Sequence, residues 1–122
     1  MVVVPEFLIR RIYKKGSLKK LENGASLELK NVLGPGFISG FNYVKINDTI
    51  YEAENVKFIT VGKEITKNDV SEENPLAFRL GQEGTLVMTG QDSVVSGVNK
   101  IIIEAMNPEA GKVQLTVDDT VA

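Results

Sequence analysis

Alternation with a period of two, interrupted by turn residues every eight to twelve positions, is the pattern that most limits what this chain can fold into. Successive side chains on a strand point to opposite faces, so an apolar residue at every second position marks a strand with one buried face and one wet face. Leu27 and Leu29 alternate with Ser26, Glu28 and Lys30, and Leu76, Phe78 and Leu80 alternate with Ala77 and Arg79. Phe37 to Ile46 reads as one long strand, Val56 to Val61 as its hairpin partner or neighbour, and Thr85 to Thr89 as a further short strand. Ile101, Ile103 and Ala105 pair antiparallel with Val113, Leu115 and Val117 around Asn107-Pro108-Glu109-Ala110-Gly111. Short runs at this spacing predict an all-β fold, an antiparallel β-sandwich of about seven or eight strands.

The turn residues agree with that reading. Asn23-Gly24 is a favoured pair for a hairpin whose central residues need positive φ, and Asn47-Asp48 is a weaker signal of the same kind. Gly34-Pro35-Gly36 has to be a loop. Helix is expected in one or two short turns at most. Pro5-Glu6 ahead of Phe7, Leu8, Ile9, Ile12 and Tyr13 suits a short helix with Pro in its first turn, or else an N-terminal strand. Thr66 to Asn74 suits a single turn capped by Thr66 with Asp69 three residues on, ending before Pro75. Nothing divides residues 1–122 into two domains, and residues 1–15 form a basic N-terminal segment. Val2-Val3-Val4 is apolar and strand-prone, and a strand there needs a sheet edge to cover it.

Composition then removes most catalytic chemistry. The 122 residues include no histidine, cysteine or tryptophan. Thiol nucleophiles, Ser-His-Asp triads, His- or Cys-ligated zinc and disulfide frameworks are therefore excluded. The chain is long enough to bury a core without disulfides. With no cysteine and no leader-like N-terminus, the expected compartment is the cytoplasm. The longest apolar runs, Val2 to Val4 and Ile101 to Ile103, fall far short of the ~20 residues that span a bilayer, so no membrane contact is expected.

Charge is unevenly spread. Residues 1–30 carry seven Lys or Arg against three acids, a net of +4, while the rest of the chain carries a net of −6. Arg10, Arg11, Lys14 and Lys15 are the candidate basic contact. A sequence pI near 5.2 argues against nucleic acid as the partner. Neighbouring basic and acidic strands that neutralise one another would explain the split as well.

Several constellations could carry chemistry. Asn68, Asp69, Glu72, Glu73 and Asn74 offer oxygen ligands but lack the spacing of a calcium loop, so a solvated loop is expected and no metal or other cofactor is assigned. Asp118-Asp119 reads as an exposed terminal pair. Paired catalytic carboxylates sit in no distinctive motif, and Gly34-Pro35-Gly36 lacks the Lys-Ser/Thr continuation of a phosphate loop. Gly40 suits a bulge or a close backbone approach. Phe37, Phe41 and Tyr43 share one face if the strand is regular. With Tyr51 they form either core or a surface for a ligand or partner, and Arg79 is a lone strand charge at the same kind of surface.

The order of these elements resembles the small β-subunit of bacterial C-glycoside deglycosidases. The residues involved are Lys30-Asn31-Val32, Gly40-Phe41 opening a strand, the Asn47-Asp48 hairpin, Phe58 with Gly62-Lys63, the Phe78 strand and the last strand pair after Gly97. That resemblance implies a sandwich subunit that packs on a larger metal-dependent barrel and does not hold the metal itself, and it assigns no catalytic residue to a position of this sequence. The expected role is an accessory or structural subunit without its own catalytic machinery, working in a homo-oligomer or with a larger partner. The alternative is a module that binds a carbohydrate or another small ligand through the aromatic strand face.

Overall fold

The computed structural model describes residues 5–122. The Val2–Val4 edge strand expected from the sequence lies outside the described residues. The described residues form eleven strands: β1 (Lys19–Leu21), β2 (Gly24–Lys30), β3 (Gly36–Ile38), β4 (Gly40–Ile46), β5 (Thr49–Glu52), β6 (Val56–Thr60), β7 (Lys63–Ile65), β8 (Leu76–Phe78), β9 (Glu83–Thr89), β10 (Gly97–Asn107) and β11 (Gly111–Val121). They form an antiparallel five-stranded sheet in the order β1-β2-β9-β6-β7, a four-stranded sheet in the order β11-β10-β4-β5, and the small pair β3-β8. The fold is all-β, as the alternation predicts. The count exceeds seven or eight because β1, β3, β7 and β8 are only three residues long.

Local chemistry explains most of the boundaries. Pro5 precedes the helix α1 (Glu6–Ile9), which continues as a 3-10 turn over Arg10–Ile12. Of the two readings open at the N-terminus, the helical one is observed. Thr66 and Asp69 form a reciprocal capping box around the 3-10 turn Lys67–Asp69. A further 3-10 turn, Ala53–Asn55, has no distinctive sequence signal. Asn47-Asp48 connects β4 to β5 with Asn47 at φ 56°. The earlier hairpin is shifted by one residue from expectation. Glu22-Asn23 form its loop and Gly24 starts β2 opposite Thr89, where a Cβ would collide with the carbonyl of Met88.

The long Phe37–Ile46 strand is broken at Ser39. β3 leaves to pair with β8, and β4 joins β10 and β5. Val56–Thr60 belongs to the opposite sheet, between β9 and β7, and is neither the partner nor the neighbour of β4. Phe58, 1% exposed, sits where the layers meet, edge-on to Phe78 at 5.5 Å and tilted against Phe41 at 6.3 Å. Gly84 on β9 makes room for it, since a Cβ there would strike the Phe58 ring.

Candidate functional site: an apolar cavity beside the end of the sandwich

A cavity of about 290 Å³ opens where the β10–β11 hairpin, the β2–β3 connection and α1 converge. Its walls include Ile9 and Ile12 from the N-terminal helix, Leu29 from β2, and Ile103 and Leu115 from the four-stranded sheet. Phe37, about half exposed, stands at its wall on β3.

Asn31 builds the loop over this cavity. Its amide nitrogen donates to the carbonyls of Gly34 and Phe78, each at 2.6 Å, and its side-chain oxygen accepts from the N–H groups of Leu33 at 3.0 Å and Gly34 at 3.4 Å. A short Asn side chain can replace a turn's backbone partners in this way. Asn107, the other polar side chain in the wall, donates to the Phe37 carbonyl at 2.9 Å and accepts from Glu109 and Ala110. Both amides are therefore committed to shaping loops. The lining contains no ionisable side chain, so the cavity suits an aliphatic group. Asn31 was legible only as part of a short motif. The signal that singles it out is an amide side chain three residues ahead of a Gly-Pro-Gly loop.

The aromatic residues do not form one surface. Tyr51 is fully buried, with its hydroxyl bonded to the Gln91 carbonyl and the Ser93 hydroxyl, both at 2.7 Å. Phe41 packs against the core, whereas the Tyr43 hydroxyl accepts from Gln114 at 3.3 Å. A bulge separates them: Phe41 lies opposite Ala105 and Tyr43 opposite Glu104, leaving Asn42 as the extra residue. That extra residue reverses the alternation, so the shared face expected from regular spacing is not formed. Arg79 is exposed just beyond β8, and its backbone N–H donates to the side-chain oxygen of Gln82 at 2.9 Å.

Arg10, Arg11, Lys14 and Lys15 are all exposed. Arg10 and Lys15, with Tyr13, flank residues Thr116, Val117 and Asp118 of β11 across a shallow cleft. Lys14 pairs with Glu28 at 3.6 Å, while the other two ion pairs, Lys57–Glu64 and Lys67–Glu54, lie wholly within the acidic part of the chain. No ion pair among the described residues joins the basic segment to the acidic body.

A buried polar cluster links the two instead. Asp119 is 3% exposed, and it accepts from the Tyr13 hydroxyl at 2.5 Å and from the backbone N–H groups of Gly16, Leu18 and Thr120. Burial pushes its carboxyl upward, but Tyr13 and the three N–H groups outweigh that and hold it below the ordinary carboxylate value. Burial first, and then the hydrogen bond to Asp119, raise the Tyr13 hydroxyl above its usual range. Asp119 is thus a fastening between β11 and the N-terminal segment, and the expected exposed acidic pair is exposed only at Asp118.

Every buried side-chain nitrogen and oxygen among the described residues has a hydrogen-bond partner, and no cluster of three or more acidic side chains suited to a metal is found there. No helix among them is long and apolar enough to cross a membrane. Comparison with curated proteins finds no match. Comparison with family models matches residues 8–122 to the N-terminal domain of hydroxymethylglutaryl-CoA reductase. That match takes in all but the first seven residues, including both sheets, the cavity and the Tyr13–Asp119 fastening, and the chain belongs to the hydroxymethylglutaryl-CoA reductase N-terminal domain family.

Proposed function

We propose that the chain is a non-catalytic accessory or structural unit that works beside catalytic machinery of the hydroxymethylglutaryl-CoA reductase type. The observation that carries this reading is the family match over residues 8–122, since the family is described by its place in a larger enzyme. The chemistry of the described residues supports it. Asn31, Asn99, Tyr13 and Asp119, the buried polar groups with most to offer, are consumed by hydrogen bonds that hold loops and strands. The resemblance to the small β-subunit of C-glycoside deglycosidases implies the same kind of role against a different catalytic chain.

Affinity isolation of the tagged chain from its native source, with the retained proteins identified and quantified, tests the proposal. A reductase catalytic chain retained in near-stoichiometric amount is the expected result. A metal-dependent barrel enzyme in its place would transfer the proposal to the deglycosidase type. Isolation of the chain with no catalytic protein would overturn the accessory role.

The cavity favours a second reading, a binding site for a small aliphatic ligand. Decanoate is a suitable probe because it offers an apolar chain without asking for a buried polar partner. Binding should shift the amide resonances of residues 33–38 and Met106, and A105L should abolish it by filling the wall. Shifts confined to other regions, or binding unchanged in A105L, would dismiss the ligand site.

A further inference from the structure

The edges of the two sheets are very unequal. The five-stranded sheet ends in β1 and β7, each three residues long and each carrying lysine, and β5 at one side of the four-stranded sheet has four residues. Very short edges resist pairing with another chain. β11 is different: it runs for eleven residues without proline and pairs with β10 at every position. None of the backbone hydrogen bonds made by loops, turns and caps among the described residues reaches it from the other side. α1 and the turn after it approach its inner face, where Ile9 and Ile12 share a cavity wall with Val113 and Leu115 and Tyr13 reaches the inward-pointing Asp119, while Arg10 and Lys15 flank Thr116, Val117 and Asp118 across a shallow cleft.

We propose that β11 is a self-pairing edge, through which a second copy of this chain adds antiparallel about a two-fold axis at Leu115. In that register residues 111–119 of one copy run against 119–111 of the other. Lys112 faces Asp118 of the second copy, Gln114 faces Thr116, and Val113 faces Val117, each twice by symmetry. Lys112 and Asp118 are the two charges on the exposed face of β11. A slip of two residues in either direction keeps wet face on wet face but leaves both charges opposite neutral residues. A slip of one residue sets inner positions against outer ones and is excluded by the burial pattern. Lys100 on β10 already lies opposite Asp118, so the register completes a row of alternating charge, Lys112 to Asp118 of the second copy to its Lys100. The two four-stranded sheets become one of eight strands, and the long edge is removed. This assembly goes beyond the catalytic-partner reading and does not depend on it.

Sedimentation equilibrium of the full chain tests the proposal. A strand-to-strand contact is smaller than a standard interface, so dimer is expected to predominate at about 100 µM and to dissociate on dilution. K112E sets like charges opposite each other twice and should raise the dissociation constant by about tenfold. K112E is preferred to D118K as the single variant because Arg10 and Lys15 flank Asp118 within the same chain. The double variant K112E/D118K restores opposite charges and should recover much of the wild-type affinity. Hydrogen exchange gives a second readout: amides across residues 112–118 should become more protected as protein concentration rises. A monomer at the highest concentration, a K112E dimer as tight as wild type, or β11 amides whose exchange is independent of concentration would each overturn the proposal.

Discussion

Asp119 shows how one residue can be misread from its neighbours and correctly placed from its phase. Beside Asp118 near the C-terminus it looks like half of an exposed acidic pair, yet it falls in the Val113-Leu115-Val117 series that points inward. Its burial requires compensation, which Tyr13, Gly16 and Leu18 supply from about a hundred residues away in sequence, beyond the reach of local pattern reading. Removing one donor from a buried carboxylate costs about 1.5–3 kcal/mol, so Tyr13→Phe should lower unfolding stability by that amount in denaturant titration at neutral pH. The pair also sets a pH profile. A depressed Asp119 contributes stability that is present above the unfolded carboxylate value of about 4 and is lost as pH falls through its lower folded value. A raised Tyr13 contributes stability that is present below the unfolded tyrosine value of about 10 and is lost as pH rises beyond it. Asp119→Asn should therefore flatten the acid limb of stability against pH, and Tyr13→Phe the alkaline limb.

At the scale of elements, sequence pattern located strands better than it located their ends and partners. The β10–β11 hairpin was fully legible because its alternation is long and its turn contains Asn-Pro and Gly. The β3–β4 break and the bulge at Asn42 were not, because an extra residue in a strand leaves no mark on composition while it reverses every later side chain. That bulge separates Phe41 from Tyr43, so the aromatic surface suggested by even spacing dissolves. Another concealed feature is the β6–β7 connection. Thr60 pairs with Lys63, which makes Val61-Gly62 a two-residue loop with both φ values positive, 51° and 74°. A β-branched residue is strained in that conformation, and Val61 is 77% exposed, with little burial to offset the strain. Val61→Asn should therefore stabilise the protein by about 0.5–1 kcal/mol, seen as a higher melting temperature with an unchanged circular dichroism spectrum.

At the scale of the whole molecule, sandwich architecture was legible from alternation and turn spacing, while the cavity was not. The cavity exists because Asn31 pins the β2–β3 connection to Phe78 across the fold and because α1 packs beside β11, neither of which follows from a local run of residues. What the missing histidine and cysteine exclude by chemistry, the folded chain complements by geometry, since its buried polar groups are committed to its own loops. The proposed accessory role leaves the reaction to other groups, which this chain would modulate or organise. Turnover of hydroxymethylglutaryl-CoA by a reductase catalytic chain, measured with and without this chain and with this chain alone, tests it most directly. The expected result is no turnover by this chain alone and a change in the catalytic chain's turnover that saturates at a fixed stoichiometry; turnover by this chain alone, or a catalytic chain indifferent to its addition, would overturn the accessory role.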